Sequence, residues 1–229
     1  MTKNGLFEGK GRMSHANGDI YQGEWKQGKA CGKGVFVDTE GSMYKGDWVN
    51  DVYHGQGVET WNYNTIKYEG DFLEGKKTGK GRFEFDGNYY EGDFVDGQFH
   101  GQGTYFFHDS KNLYKGEFRN NSINGRGEML FHDGSIYYGD FVEGLMEGTG
   151  KKLWPNKNYY EGPWKNNLQH GKGNYFYAKT AQIMPEEWRE GKRISMNKTP
   201  QMKQALQNHI AEKMTLKVKE KDLKREWVR

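Results

Sequence analysis

The chain of 229 residues carries 34 Lys and Arg against 31 Asp and Glu, a formal net charge of +3, so no global field drives it toward nucleic acid or an anionic membrane. Only 34% of residues are hydrophobic and the mean hydropathy is −1.07, yet 15% are aromatic and 33 are Gly, which excludes both a ring-poor disordered chain and an ordinary aliphatic core. One cysteine, Cys31, excludes an internal disulfide framework and a thiolate metal site; with no apolar run near the ~18 residues of a membrane span and no apolar signal core at the start, a soluble intracellular protein is expected.

Along the chain, every Tyr followed by Gly two residues later marks a unit: Tyr21, Tyr44, Tyr68, Tyr90, Tyr114, Tyr137 and Tyr160, at steps of 23, 24, 22, 24, 23 and 23. A partial leading unit contributes Gly9 and Gly11, and a degenerate unit starting at Met184 is expected to cap the array. The array is expected to span residues 1–194. Counting Tyr as position 1, position 5 is Trp25, Trp48, Phe72, Phe94, Phe118, Phe141, Trp164 and Trp188. Aromatic residues at 1 and 5 with Gly at 3 give a period-two strand with one ring-bearing face.

Position 8 is Gly28, Asp51, Gly75, Gly97, Asn121, Gly144, Asn167 and Gly191, residue types that tolerate positive φ, so a hairpin turn belongs there. Positions 12 and 14 are Gly in all seven Tyr-initiated units, for example Gly55 and Gly57 or Gly101 and Gly103. Both are expected to leave space on the returning strand for neighbouring rings. A second turn follows at Asn17-Gly18, Glu40-Gly41, Asp86-Gly87 and Asp133-Gly134. Each unit reads as a β-hairpin and the array as a meander.

The pattern YxGxW or YxGxF followed by HGxG, as in Tyr44-Lys45-Gly46-Asp47-Trp48 with His54-Gly55-Gln56-Gly57, resembles the MORN (membrane occupation and recognition nexus) repeat. The resemblance implies an all-β fold, an elongated single-layer β-hairpin solenoid. It also implies company with scaffolds of cilia and other cytoskeletal structures, with membrane junctions, or with catalytic domains.

Several patterns imitate chemistry. His54, His100 and His170 all fill position 11, but repeats advance about 10 Å each at two strands per repeat, so they cannot share one metal with bonds of about 2 Å. Cys31 fills the same slot and lacks a base that would activate it. The GxG pairs lie between strands, whereas phosphate loops need a helix after the glycines. Lys33, Lys80, Arg126 and Lys172 between those glycines form a row able to attract anionic lipid headgroups. Position 4, however, is acidic at Glu24, Asp47, Asp71, Asp93, Glu117, Asp140 and Glu187, and is expected to neutralise that row across strands. No catalytic, cofactor or metal residue is expected, and no nucleic-acid partner.

These patterns together point to a non-enzymatic scaffold, and the resemblance to the MORN repeat implies a ciliary (axonemal) or other cytoskeletal assembly in the cytoplasm. Its partner-binding candidates are Tyr21, Trp25, Tyr44, Trp48, Tyr68, Phe72, Tyr90, Phe94, Tyr114, Phe118, Tyr137, Phe141, Tyr160, Trp164 and Trp188, with Met202, Leu206, Ile210 and Met214 near the C-terminus. The same rings also read as a core, and the alternatives in function are an anionic-membrane adaptor and the regulatory subunit of an enzyme. Residues 195–229 carry nine Lys/Arg and four Asp/Glu, a net +5. Thr199-Pro200 is an N-cap signal, and Met202, Leu206, Ile210 and Met214 then recur every fourth residue, so a basic amphipathic helix is expected from 200 to about 214. An isolated helix of ~15 residues is marginal in water, so docking must stabilise it. Replacing Leu206 and Ile210 with Asp is expected to lower the thermal midpoint if it docks on its own sheet, or to abolish partner recovery in a pull-down if it docks on a partner. A variant unchanged in both measurements refutes the docked helix.

Overall fold

The structure, a computed structural model, describes residues 5–196; the expected helix with Met202, Leu206, Ile210 and Met214 lies outside the described residues. The chain divides into two compact units, the first running to Lys111 and resuming over Lys115–Ser122, the second holding Asn112–Tyr114 and the residues from Ile123 onward. The first unit contains β1 (Gly9–Ser14), β2 (Ile20–Lys26), β3 (Lys29–Val37), β4 (Met43–Val49), β5 (Val52–Trp61), β6 (Ile66–Leu73), β7 (Lys76–Phe85), β8 (Asn88–Val95), β9 (Gln98–Phe107) and most of β10 (Asn112–Arg119). The second contains the start of β10, nearly all of β11 (Ser122–Leu130), then β12 (Ile136–Val142), β13 (Leu145–Leu153), β14 (Tyr159–Lys165), β15 (Leu168–Gln169), β16 (Gly171–Tyr177), β17 (Gln182–Arg189) and β18 (Lys192–Met196). Each unit is an antiparallel sheet in which strands pair in chain order. The described part is thus all-β, and the hairpin meander expected from the period is present in both units.

The turns explain why the strands follow one another so tightly. Positions 7 and 8 both have positive φ in every repeat, 47° to 53° at the first and 66° to 80° at the second. This is the two-residue type I′ geometry, whose twist matches that of the flanking strands. The position 8 amide also links successive repeats. It donates to the position 10 carbonyl of the repeat before it, as in Asp51 to Ala30 (3.0 Å), Gly97 to Lys77 (2.9 Å) and Asn167 to Met146 (3.1 Å). Where position 8 is Asp or Asn, its side-chain oxygen accepts the return bond from the position 10 amide: Ala30 to Asp51, Phe99 to Asn121 and Met146 to Asn167, at 2.7 to 2.8 Å.

Glycine has two separate jobs. The glycines at positions 3 and 14 face one another across strands, Gly46 between Gly34 and Gly57 and Gly92 between Gly81 and Gly103. The Tyr at position 1 lies over that pair. A Cβ on Gly57 would sit 2.6 Å from the Tyr44 ring, and one on Gly46 would sit 2.6 Å from the Gly57 backbone, closer than any packing allows.

The position 12 glycine does not face rings. The register shifts between Gly46 and Asp47, and between Gly92 and Asp93, because the returning strand bulges there. Gly55 and Gly101 in the bulges have φ of +57° and +56°, and a Cβ on either would stand 2.7 Å from the Asp at position 4. The expectation that both glycines of each GxG pair leave room for rings therefore holds only for the second.

The last hairpin shows the rule by its exception. Met184 replaces Tyr, so no ring needs the position 3 slot, and Glu186 occupies it with a fully buried side chain. Its Oε1 accepts the Tyr177 hydroxyl at 2.5 Å and the Arg193 guanidinium at 3.0 Å. Burial and that carboxylate push the Tyr177 hydroxyl up to about 12.

Gly57→Ala is expected to cost about 1 to 3 kcal/mol by forcing a methyl into the Tyr44 ring. A Cβ on Gly97 would meet nothing within 4 Å, and the position is one where other repeats carry Asn, so Gly97→Asn should change stability by less than about 0.5 kcal/mol. Urea denaturation of both variants checks the pair, and equal losses would refute the division of glycine roles.

Candidate protein-interaction surface

The structure places the position 1 and position 5 rings inside the sheet's own packing. Tyr44, Tyr68, Tyr90, Tyr114, Tyr137 and Tyr160 have no exposed surface, Tyr21 is nearly buried, and Trp25, Trp48, Phe72, Phe94, Phe118, Phe141 and Trp164 are all buried; Trp188 alone among these candidates is half-exposed. Each Tyr meets edge-to-face the ring of its own repeat and that of the next: Tyr21 contacts Trp25 and Trp48, both at 4.9 Å, and Tyr137 contacts Phe141 and Trp164 at 5.1 and 5.2 Å. Every Tyr is therefore shared by two repeats. The hydroxyl donates to the position 4 carbonyl, Tyr44 to Asp47 and Tyr90 to Asp93 at 2.8 Å, Tyr68 to Asp71 at 2.9 Å. Burial holds these hydroxyls protonated, with Tyr21 pushed up to about 12. Rings without exposed surface cannot contact a partner, so the partner-facing role expected of them is corrected: they are the core.

A different set of rings on the same face remains half-exposed. Position 18 is Trp61, Phe85, Phe107, Phe131, Trp154 and Tyr177 in six successive repeats, and position 16 adds Phe83, Tyr105 and Tyr175. Position 10 supplies Tyr53 and Phe99, which stack flat on Tyr44 and Tyr90 at 3.7 and 3.9 Å. This row was legible in the period but was masked by the stronger Tyr, Gly and GxG slots.

In the first unit Trp61, Ile66, Lys77, Phe83, Phe85 and Phe99 line an open groove of about 500 Å³. Lys77 enters it as a compensated charge, 2.6 Å from Glu59 and with its ammonium 4.6 Å above the Trp61 ring. In the second unit Trp154 stacks on Tyr175 at 5.7 Å, and Tyr175 reaches Tyr177 at 4.7 Å and Trp188 at 6.1 Å.

The opposite face carries charge. Lys33 lies opposite Asp47, Lys80 opposite Asp93, Arg126 opposite Asp140 and Lys172 opposite Glu187. The first three are ion pairs at 2.7, 2.5 and 3.2 Å. Arg82 bridges Glu84 and Glu91 at 2.6 and 2.8 Å while lying 4.0 Å from the Tyr89 ring centre.

The position 4 Asp has a second duty that the sequence did not reveal. Its Oδ2 accepts the backbone amide freed by the bulge: Gln56 to Asp47 at 3.0 Å, Lys80 to Asp71 at 2.8 Å, and Gln102 to Asp93 and Thr149 to Asp140 at 2.9 Å. Partial burial disfavours the Asp93 carboxylate, but the Lys80 ammonium and the Gln102 amide outweigh it and hold its pKa below the usual value. Among the described residues no group of three or more His, Cys, Asp or Glu side chains could hold a metal ion, and no helix is long and apolar enough to cross a membrane. Cys31 is a free thiol lying opposite Glu24.

Hairpins stacked on shared tyrosines, with glycine pairs beneath the rings, define a β-repeat protein with a row of half-exposed rings on one face. The sequence profile of the MORN repeat matches residues 3–20, 21–43, 44–62, 68–88, 90–110, 114–136, 137–159 and 160–180, and the chain belongs to the MORN-repeat family. No curated protein sequence matches it. Among solved structures it is similar to the G-box domain of the microcephaly protein CPAP, with 11% identity, TM-score 0.50, and 83% of this chain and 100% of that chain covered. It is also similar to the TCP10 domain of Danio rerio CPAP in complex with a peptide of Danio rerio STIL, with 11% identity, TM-score 0.48, and coverage of 83% and 84%.

Removing the Asp93 carboxylate should cost more than removing its cation. Asp93→Ala strands the Gln102 amide and is expected to cost about 1 to 3 kcal/mol, whereas Lys80→Ala loses only an exposed pair and should cost under about 1 kcal/mol. Because folding lowers the Asp93 pKa, its contribution is complete above the unfolded value and disappears as pH falls through the folded one. Denaturant titrations at neutral and acid pH check both expectations; equal costs for the two variants would show that Asp93 acts as an ion-pair partner and nothing more.

Proposed function

We propose that the chain is a non-enzymatic protein-binding scaffold. Its half-exposed ring face docks protein partners, while the repeat array holds them at a spacing set by its hairpins. The observation that carries this reading is the groove of Trp61, Phe83, Phe85 and Phe99 in the first unit. These four rings are themselves half-exposed, and partly exposed aromatic clusters of this kind supply the anchors of protein interfaces. The reading invokes no cofactor and no metal.

The assembly is proposed to be cytoskeletal, ciliary (axonemal) or centriolar in type, in the cytoplasm. That context rests on membership of the MORN-repeat family and on fold likeness to the CPAP G-box domain, for which a role in centriole elongation has been suggested. The reading as an anionic-membrane adaptor depends on Lys33, Lys80, Arg126 and Lys172. Three of these already hold carboxylates, so weak contact with anionic lipid is what remains to that row. A regulatory subunit would use the same ring face and would be recognised by a catalytic chain among its partners.

The test is affinity purification of the full chain from its native cell, with mass spectrometry, beside a variant carrying Phe83→Ser and Phe85→Ser. Cytoskeletal proteins should co-purify with the wild type and be lost from the variant while its thermal midpoint stays near that of the wild type. If the native chain brings down no protein but floats with phosphoinositide vesicles at physiological salt, and Lys33→Ala with Lys80→Ala stops the flotation, the scaffold reading fails and the membrane adaptor takes its place.

A further inference from the structure

Charge enters the ring face at position 16 in two places, and the two are compensated differently. Glu59 is the first. Its carboxylate is satisfied within the sheet by Lys77, with both side chains about four-fifths buried, at 17% and 21% exposure. Lys152 holds the same position in the second unit, between the cross-strand neighbours Tyr137 and Tyr160. Its ammonium lies 4.0 Å from the Phe131 ring centre.

The slot that Lys77 fills in the first case is Gln169 here, which carries no charge. Asp133 is the carboxylate whose field Lys152 feels, but it is engaged by the Ser135 amide at 2.8 Å and forms no ion pair with Lys152. His132 lies beside Asp133 and adds no negative charge. Burial lowers the Lys152 pKa from the usual ammonium value, with Asp133 opposing only in part. A half-buried cation held by a ring and a carboxylate it does not pair with is a cost to the free protein, and a carboxylate arriving from outside lowers that cost.

The surroundings of Lys152 are apolar. Trp154 follows two residues later, just past the end of β13, and stacks on Tyr175, and Phe131 flanks the ammonium. We propose that Lys152 is the charge anchor of a docking site for an acidic, hydrophobic segment of a partner protein. In this site a partner carboxylate pairs with Nζ while the apolar side chains beside it lie on Phe131, Trp154 and Tyr175. The proposal rests on the protein-binding reading and names the partner's chemistry.

Charge complementarity selects the occupant. The chain's own segment 197–229 is strongly basic and carries the wrong sign. Nucleic acid draws its affinity from many phosphate contacts, and this face offers one free cation among its described rings.

The experiment selects short random peptides displayed on phage against the full chain, then measures the recovered peptides on Lys152→Met, Lys152→Arg and Trp154→Ala. Peptides with Asp or Glu flanked by Leu, Ile, Met or Phe should be enriched. Their affinity should fall about tenfold or more with Lys152→Met, stay within about twofold with Lys152→Arg, and fall with Trp154→Ala. Lys152→Met should not lower the thermal midpoint, which separates a binding role from a structural one. Peptides without an acidic residue that bind wild type and Lys152→Met equally but lose Trp154→Ala would overturn the anchor and leave the scaffold reading standing. Failure of the wild type to select any peptide would overturn both. Displacement of the selected peptides by a synthetic peptide of residues 197–229, or tighter binding of an oligothymidine probe, would overturn the acidic-partner assignment.

Discussion

A tyrosine ring laid over two side-chain-free backbones is the contact on which everything else in this protein depends. The glycines at positions 3 and 14 let two strands carry the ring at a distance no Cβ would permit. The ring then meets edge-to-face the aromatic residues of its own hairpin and of the next, and its hydroxyl is satisfied by the carbonyl at position 4. One residue per repeat thus supplies the intra-repeat core, the inter-repeat contact and its own hydrogen bond. This is how a chain with only 34% hydrophobic residues buries a core of rings within the sheets of its described residues. The cohesion is between nearest neighbours, as in other repeat proteins.

That economy fixes what each face is free to do. On the charged face, the carboxylate at position 4 is bound twice, by the amide of the bulge and by a cation across the strand. The row of Lys and Arg is consequently part of the hairpin's own construction. On the ring face, the tyrosines and most position 5 aromatics are consumed by packing, and the rings at position 18, with Tyr53, Phe83, Phe99, Tyr105 and Tyr175, are left partly open. The recognition surface proposed above is built of these half-exposed rings, whose identity can vary while the Tyr and Gly frame is kept.

The departures from the repeat follow the same logic. Where Tyr gives way to Met184, the glycine beneath it is free to become Glu186, and Tyr177 and Arg193 both donate to its Oε1. Where Gly gives way to Asp51, Asn121 or Asn167 at the turn, the substituted side chain accepts an amide of the preceding repeat. Local deviations are compensated locally, because each repeat touches little beyond its neighbours.

Much of this was legible in the sequence. The period, the alternation of Tyr, Gly and ring, and residues tolerant of positive φ at position 8 determine hairpins, their order and the place of their turns, since these depend on contacts within about one repeat. The pairing of Lys33, Lys80 and Arg126 with acidic residues at position 4 was readable for the same reason. What the sequence could not separate was a ring that is core from a ring that is surface: Tyr90 and Tyr105 are the same residue type on the same face, and only packing across strands buries the first and leaves the second half-exposed. Nor could it distinguish Gly101 from Gly103, one needed for its backbone angle in a bulge and the other for the space beneath a ring. Register and bulge are decided by the closure of neighbouring strands, so the roles of Asp93 as an amide acceptor and of Lys152 as a half-buried cation without an ion-pair partner existed only once the tertiary structure had set which atoms lie opposite.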